Sequence, residues 1–321
     1  MAVTLGRSAL EGAIAMSEAI DLLEDMLRHE ASGRTATSPK YVTDFKGGSM
    51  RILFAADYEA GYCATKAYHV IQGAGVRYIV TLYRHSDGEV LAILDGSVIT
   101  DLRTGAASGV AARRVAVSEP VSVGVVGSGN QARMQLESIA AVYRIATAAV
   151  YSPTQENREA FASDMSAKLG FPVQAAASAQ DAVHGRSVVV TASNARTPEP
   201  IVLGAWLGEC RLLCAVGNTR AQFSELDMQC FADAALIVAD TEHAFHEAGE
   251  FRRASEAGVL PAVNRATLAQ LVSGAVRVPR EGLVVFKSVG SALQDLALAS
   301  RYYERLGERG VPTAPDLGRV R

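Results

Sequence analysis

A short glycine loop between an apolar strand and a helix constrains this chain more than any other feature. Residues 121–126 form an apolar run, and the sequence GSGNQA follows at 127–132. Gly127 permits a tight turn, and Gly129 lets backbone N–H groups approach a pyrophosphate at the positive end of the helix dipole. Ala132 takes the place of a third glycine, and its small side chain still allows helix and strand to pack closely. The loop therefore predicts a dinucleotide-binding Rossmann unit with Gly127 and Gly129 at the cofactor.

Strand-like and helical segments alternate around and after this loop. The further apolar runs typical of strands are 146–151, 187–192, 211–216 and 234–239. Helical stretches at 155–168 and 177–183 separate the early members. Strands that alternate with helices indicate a parallel sheet. The predicted fold class is α/β, with a doubly wound parallel sheet.

In the first third of the chain, the apolar residues recur with other spacings than in the region around the glycine loop. Apolar residues at helical spacing over 8–30 predict one amphipathic opening helix. The β-rich runs 77–83 and 89–94 flank an Asp-Gly pair, which is a hairpin signal. These patterns predict an α+β domain with an antiparallel sheet, followed by an alanine-rich helix over 102–115. A last amphipathic helix is expected at 292–306, before a polar tail that is loosely held.

Composition excludes several function classes. The chain has 321 residues, of which 49% are hydrophobic, so it is long enough for two cores. A net charge of -3 with scattered Lys and Arg offers no footprint for nucleic acid or an anionic membrane surface. No apolar segment approaches the length of a membrane span. Acidic residues interrupt the apolar pattern of the N-terminus, so a signal peptide is not expected either. Small-molecule chemistry is the expectation.

Cysteine and histidine usage points away from disulfides and metals. Four cysteines without CxxC spacing predict reduced, packing thiols in a cytoplasmic protein. His243 and His246 share one helix face but lack a third ligand cluster, so no metal site is expected.

The segment after the second strand bears on the choice between NAD and NADP. NAD enzymes usually place an acidic residue about 20 residues beyond the loop to hold the ribose 2′-hydroxyl. Here the strand ends Tyr151-Ser152-Pro153-Thr154, without an acid. Hydroxyls at Ser152 and Thr154 tolerate a 2′-phosphate better than a carboxylate would. The sequence slightly favours NADP over NAD, and Arg158 is a candidate phosphate partner if it reaches back from the following helix.

Several short motifs, in this order, give the chain a resemblance to the ornithine cyclodeaminase/mu-crystallin family over nearly its whole length. They are Thr65-Lys66, Asp95-Gly96, Ile99-Thr100, Arg103-Thr104, the glycine loop, Ala215-Val216-Gly217, Glu225-Leu226-Asp227, Phe286-Lys287-Ser288-Val289-Gly290 and Asp295-Leu296. The resemblance implies a homodimer in which residues 1–118 plus 291–321 form an α+β substrate-binding and dimerisation domain. Residues 119–290 would form the inserted Rossmann domain. It also implies hydride transfer between a nicotinamide and an α-amino acid or its imine.

The same resemblance assigns roles to individual residues. Lys66 is expected to bind the substrate carboxylate and polarise the reacting group, with Arg103 beside the substrate and the nicotinamide end and Val289 facing the substrate. The other residues expected at the cofactor are Thr81, Asn130, Gln131, Ser152, Thr154, Ser193, Val216, Gly217 and Ser288.

Two departures from the family pattern are informative. Related cyclodeaminases and alanine dehydrogenases carry an aspartate in the loop after the Ala-Val-Gly strand, and Thr219 stands there instead. A hydroxyl cannot replace a carboxylate as general base, although it can hydrogen-bond a substrate amine or a water. Mu-crystallin-like ketimine reductases also lack this acid. The family's arginine before Lys66 is missing as well, which leaves Lys40 or Arg34 as the upstream carboxylate partner.

These observations predict an NAD(P)H-dependent reductase of small 2-imino acids, with Lys66, Arg103 and Thr219 as its catalytic residues. Two alternatives stay open. One is an ornithine cyclodeaminase-like ammonia lyase. The other is a non-catalytic protein that binds NADPH and a small ligand.

Overall fold

Two sets of secondary-structure elements define two compact units in the computed structural model. Unit 1 comprises residues 1–103 and 291–321, and unit 2 comprises residues 104–290. The sequence expectation placed the domain boundary at 118/119 and likewise joined 291–321 to the N-terminal part. The structure describes residues 2–197, 199–218, 223–260, 264–306 and, for the backbone alone, 311–312.

Unit 1 is built on a mainly antiparallel sheet. Its strands are β1 (Val3–Leu5), β2 (Thr35–Thr37), β3 (Tyr41–Phe45), β4 (Gly48–Asp57), β5 (Tyr62–Ile71), β6 (Gly75–Arg84), β7 (Val90–Asp95) and β16 (Val311–Pro312). Their order is β16-β1-β7-β6-β5-β4-β2, with β3 paired to β4. The β1–β7 pair is parallel. The hairpin predicted around the Asp-Gly pair is confirmed as β6 and β7.

Helices pack beside this sheet. They are α1 (Arg7–Leu10), α2 (Met16–Ala31), the start of α3 (Gly96–Arg114) and α11 (Ala292–Leu306). The bounds predicted for α11 are confirmed. The prediction of one opening helix over 8–30 is wrong, because the backbone leaves the helical region at Glu11, where ψ is 124°. A second helix then begins at Met16. The alanine-rich helix starts at Gly96, six residues before the predicted start, because the Asp95 carboxylate accepts the Ser97 N–H and so caps the helix.

Unit 2 is a parallel sheet with helices between its strands. The strands are β8 (Val121–Val126), β9 (Ile145–Tyr151), β10 (Val173–Ala175), β11 (Val188–Thr191), β12 (Leu212–Ala215), β13 (Ala234–Ala239), β14 (Arg265–Thr267) and β15 (Leu283–Lys287). The helices are the rest of α3, α4 (Asn130–Val142), α5 (Gln155–Leu169), α6 (Ala179–Val183), α7 (Met228–Ala232), α8 (Ala244–Glu247), α9 (Gly249–Glu256) and α10 (Leu268–Val272), with a 3-10 turn at Gly204–Trp206.

The strand order of unit 2 is β10-β9-β8-β11-β12-β15-β13-β14. The order reverses between β8 and β11, and in open parallel sheets this switch point is where ligands bind, at the carboxyl ends of the strands. The predicted α/β Rossmann class is confirmed. Strand β15 was not predicted, yet it lies between β12 and β13 and is buried along its whole length. None of the described helices has the length and apolarity needed to cross a membrane.

Candidate active site

The glycine loop lies at the switch point of unit 2, between the end of β8 and the start of α4. Gly127 has φ +119°, in a region that favours glycine, and a Cβ there would collide with the Ala192 carbonyl oxygen at the end of β11. Gly129 is the extended N-cap of α4, and a Cβ added there would meet nothing within 4 Å. The loop therefore packs tightly against the neighbouring strand at Gly127 and leaves open space above the helix end at Gly129.

A cleft of about 980 Å³ opens over this loop. Eight of the residues that the sequence assigned to the cofactor line it: Gly127, Gly129, Asn130, Gln131, Ser152, Thr154, Ser193 and Gly217. The described lining contains no Asp or Glu, and it includes Arg133, whose guanidinium pairs with Asp164 at 3.0 Å. A helix N-terminus, an arginine and a lining without carboxylates suit a phosphorylated ligand. The residues present thus fit the pyrophosphate of a dinucleotide.

The end of β9 forms one edge of the cleft. Ser128 Oγ donates to Ser152 Oγ at 3.0 Å, which links the glycine loop to this edge. Arg158 reaches back from α5, since its Nη1 donates to the Ser152 carbonyl at 3.0 Å and its guanidinium lies 5.9 Å from the centre of the Tyr151 ring. The edge therefore carries hydroxyls and one guanidinium.

Lys66 lies on β5 in the interior of unit 1, with 3% of its surface exposed. Its Nζ donates to Thr100 Oγ1 at 2.7 Å and to Asp295 Oδ1 at 2.8 Å, and it lies 5.1 Å from the centre of the Tyr78 ring. The partners come from α3, α11 and β6, so three elements place one ammonium group. An ammonium has three donors, and these acceptors use two of them.

Burial controls the protonation of Lys66. Loss of hydration, together with the positive charges of Arg103 and Lys40, lowers the pKa of the ammonium to about 8, although the charge and hydrogen bond of Asp295 oppose the shift. Lys66 consequently loses its proton near neutral to mildly alkaline pH rather than near its usual value.

Arg103 shares the carboxylate of Asp295 with Lys66. Its Nε lies 3.5 Å from Asp295 Oδ1, and its Nη1 donates to Gln294 Oε1 at 3.2 Å. Arg103 is 7% exposed, and its Nε has no hydrogen-bond partner among the described residues. The structure thus brings Lys66 and Arg103 together around one acid, and Arg103 is held less tightly than Lys66. The sequence motif contained Asp295, but sequence reasoning did not assign it a role.

The other residues expected at the substrate or cofactor are more scattered. Lys40 is half-buried and close enough to Lys66 to affect its pKa, whereas Arg34 pairs with Glu59 on the surface. Thr81 pairs with Thr65 on β5, so it lies on the face of the unit 1 sheet opposite to Lys66. Thr219 lies outside the described residues.

Val216, Ser288 and Val289 lie in unit 2, at the carboxyl ends of strands. Val216 follows β12 and is buried. Ser288 and Val289 follow β15, where the buried Asp240 carboxylate accepts the Ser288 hydroxyl at 2.7 Å and the Val289 N–H at 3.0 Å. Within unit 2 these three do not line the cleft over the glycine loop. Their assigned roles remain predictions.

Sequence reasoning missed a buried charge cluster at the same edge of the sheet. Glu225, Glu250 and Lys287 are each at most 1% exposed. Lys287 Nζ lies 2.6 Å from Glu250 Oε2, and burial raises the pKa of Glu225 while the Lys287 charge opposes that shift. The available signal was that Glu225 and Lys287 belong to two of the family motifs. Among the described residues no group of three or more His, Cys, Asp or Glu is arranged to hold a metal ion.

The parallel sheet, its reversed strand order and the glycine loop at the switch point define a protein of Rossmann type. The chain belongs to the ornithine cyclodeaminase/mu-crystallin family, whose sequence pattern matches residues 2–310. This finding confirms the resemblance drawn from the motifs.

Individual relatives agree with the family assignment. The chain is 36% identical over 237 residues to a Delta(1)-pyrroline-2-carboxylate reductase of Bacillus cereus. The aligned region covers 73% of this chain and 72% of the relative. Among solved structures it is similar to the Thermococcus litoralis Delta(1)-pyrroline-2-carboxylate reductase in complex with NADH and L-proline, with TM-score 0.90, 29% identity and coverage of 97% and 99%. It is also similar to an archaeal alanine dehydrogenase dimer with bound NAD, with TM-score 0.89, 27% identity and coverage of 97% and 98%.

Proposed function

We propose that this protein is an NAD(P)H-dependent reductase of small 2-imino acids. The observation that carries the proposal is the buried pair of cations, Lys66 and Arg103, in a chain that also has a dinucleotide cleft. Two buried cations around one acid leave an excess of positive charge, which suits a substrate carboxylate. Relatives that act on pyrroline-2-carboxylate supply the matching substrate class, a small acid with a C=N bond.

The residues of unit 1 orient the substrate. The third N–H of Lys66 and the guanidinium of Arg103, whose Nε has no hydrogen-bond partner among the described residues, would bind its carboxylate, and Asp295 lies beside both cations before the substrate binds. Fixing the acid end leaves the C=N carbon in one position, and orientation of this kind supplies much of the rate effect in cofactor enzymes.

A nicotinamide dinucleotide, when bound, supplies the hydride that adds to the C=N carbon. The imine nitrogen takes up a proton, so the product is the amino acid. We propose that Thr219, or a water that it holds, hydrogen-bonds the nitrogen. Gly127, Gly129 and the N-terminus of α4 would hold the pyrophosphate.

We further propose that NADPH binds at least as well as NADH. The β9 edge offers Ser152, Thr154 and the Arg158 guanidinium, and no carboxylate of the described lining opposes a 2′-phosphate. The solved relatives contain NADH or NAD, so the preference of this chain rests on its own residues.

A second copy of the chain is the proposed partner of unit 1. One face of its sheet exposes large apolar side chains on β3, β4 and β6, including Tyr41 at 57% and Ile79 at 51%. The strand register puts Tyr41, Ile52, Ala67 and Ile79 in one row across this face. Exposed apolar surface of this extent marks an interaction site, and the similar alanine dehydrogenase is a dimer. The cytoplasmic location stays a prediction from the sequence.

An assay panel tests the proposed reaction. The purified protein is mixed with NADPH or NADH and either cyclic imines such as pyrroline-2-carboxylate, or 2-oxo acids with ammonia or methylamine. We expect oxidation of the nucleotide with at least one 2-imino acid. L-ornithine with substoichiometric NAD distinguishes the lyase, since ammonia and proline in excess of the NAD would contradict a reductase. Tight NADPH binding without oxidation by any imine would favour a binding protein.

A further inference from the structure

We propose that Glu225 is a positioning residue of the nucleotide cleft, a role that rests on the proposed function. Its buried carboxylate joins the loop that follows β11 to the loop that follows β12 and thereby fixes one wall of the cleft. Ser193 and Gly217 line that wall, whereas Glu225 itself does not.

Glu225 accepts hydrogen bonds from both loops. Its Oε1 accepts the Ser193 N–H and the Ser193 hydroxyl, both at 2.7 Å. Its Oε2 accepts the Gly217 N–H at 2.9 Å, the Asn218 N–H at 3.1 Å and the Thr191 hydroxyl at 3.1 Å. Three of these donors are backbone N–H groups, which can only donate, so the arrangement requires an acceptor on each oxygen.

The two loops meet without spare room. A Cβ at Gly217 would collide with Ser193 backbone atoms and with Glu225 Oε1. The carboxylate therefore occupies space that exists only because residue 217 is glycine, and a change at Glu225 is transmitted directly to both loops.

A second carboxylate and a lysine anchor Glu225 in turn. Glu250 Oε1 accepts the Glu225 N–H at 2.6 Å, and Lys287 pairs with Glu250 Oε2. Lys287 Nζ also donates to the Asn218 carbonyl at 2.7 Å, so the Glu250–Lys287 pair is bonded to the loop that follows β12 as well as to Glu225. Because every member is buried, each polar group depends on its partners, and loss of one acceptor is costly.

The test is the isosteric variant Glu225→Gln. In either orientation of the amide, its NH₂ faces backbone N–H donors of one loop. The hydrogen bonds to that loop are therefore lost, while the volume of the side chain stays nearly constant. We expect the Kd for NADPH, measured by nucleotide fluorescence, to rise about tenfold or more, which corresponds to the loss of one buried acceptor. We also expect faster amide hydrogen exchange in peptides covering residues 191–197 and 212–218.

Two further variants separate positioning from general stability. Thr191→Val removes one donor within an apolar strand and is expected to raise the Kd by a smaller factor. Asp227→Ala is the matched control, because Asp227 Oδ1 accepts the N–H groups of Gly204 and Cys230 away from the cleft. It should lower Tm and leave the Kd unchanged.

Unchanged NADPH affinity and unchanged exchange in both Glu225→Gln and Thr191→Val would overturn the inference, as would a Kd that merely follows Tm in all three variants. If Glu225→Gln does not fold, Thr191→Val decides alone. A wild-type protein that binds no dinucleotide would contradict the proposed function, and loop exchange in the variants would still decide whether Glu225 holds the two loops.

Discussion

Lys66 Nζ donates to Asp295 Oδ1 over 2.8 Å in the interior of unit 1, where the two residues are 3% and 2% exposed. A buried ion pair gains less from its mutual attraction than it loses in hydration unless further bonds satisfy it. Thr100 supplies one such bond to Lys66, and Arg103 supplies the second cation beside Asp295. This arrangement supports the proposed carboxylate site more than it supports a stabilising role for the ion pair.

The activity is expected to fall as pH rises through about 8, because the protonated form of Lys66 is proposed to bind the substrate carboxylate and burial lowers its pKa to about 8. The measurement is kcat/KM for the imino acid against pH. The same shift means that the unfolded chain binds more protons than the folded one between pH 8 and the usual lysine value. The contribution of Lys66 to the free energy of unfolding should consequently rise with pH in that window. A kcat/KM profile that stays flat up to the usual lysine value would contradict the assignment.

Asp295→Asn should move the alkaline limb of this profile to lower pH. The aspartate charge holds the pKa of Lys66 up, and the amide keeps the shape of the side chain while removing that charge. The control is Glu304→Gln, a change at an exposed acid on the same helix, which should leave the profile in place. An unshifted limb in Asp295→Asn would show that Asp295 does not control the protonation of Lys66.

Gly129→Leu should abolish nucleotide binding and keep the fold. The space above Gly129 is open in the structure, so the new side chain fits the protein but occupies the volume proposed for the pyrophosphate. NADPH fluorescence titration measures the binding, and circular dichroism checks the fold. Retained affinity in a folded variant would contradict the assigned loop.

Ser152→Asp should reverse the preference from NADPH to NADH. A carboxylate at the end of β9 would oppose a 2′-phosphate and could accept the ribose hydroxyl, and like charges in close contact cost about 1 kcal/mol or more in a partly buried site. The readout is the ratio of kcat/KM for the two nucleotides. A wild type that already strongly prefers NADH would refute our interpretation of the β9 edge.

Local patterns allowed much of the fold to be predicted. The hairpin of β6 and β7, the glycine loop and α11 each depend on residues close together in sequence. Strand β15 was missed because its place depends on β12 and β13, which are distant in the chain. In the structure, Arg103 is the last residue of the first of the two segments that form unit 1.

The site was predictable in its residue types but not in its pairings. Lys66 and Arg103 were identified from motifs, whereas their common acid Asp295 is some 190 to 230 residues away in sequence. For the same reason the Glu225 cluster was not foreseen. Glu225 and Lys287 could be identified as members of motifs. Their hydrogen-bond partners could not, because folding decides which donors lie beside a buried carboxylate.

The most direct test of the central claim compares pyrroline-2-carboxylate with 1-pyrroline, the same ring without its carboxylate, in wild type and Lys66→Met. If Lys66 and Arg103 clamp the acid, Lys66→Met should cost about 2–5 kcal/mol in kcat/KM for pyrroline-2-carboxylate with nucleotide binding nearly unchanged. The carboxylate-free ring should be a poor substrate of wild type and lose little further in the variant. Reduction of 1-pyrroline as fast as its acid counterpart by wild type would contradict both the clamp and the 2-imino acid substrate class.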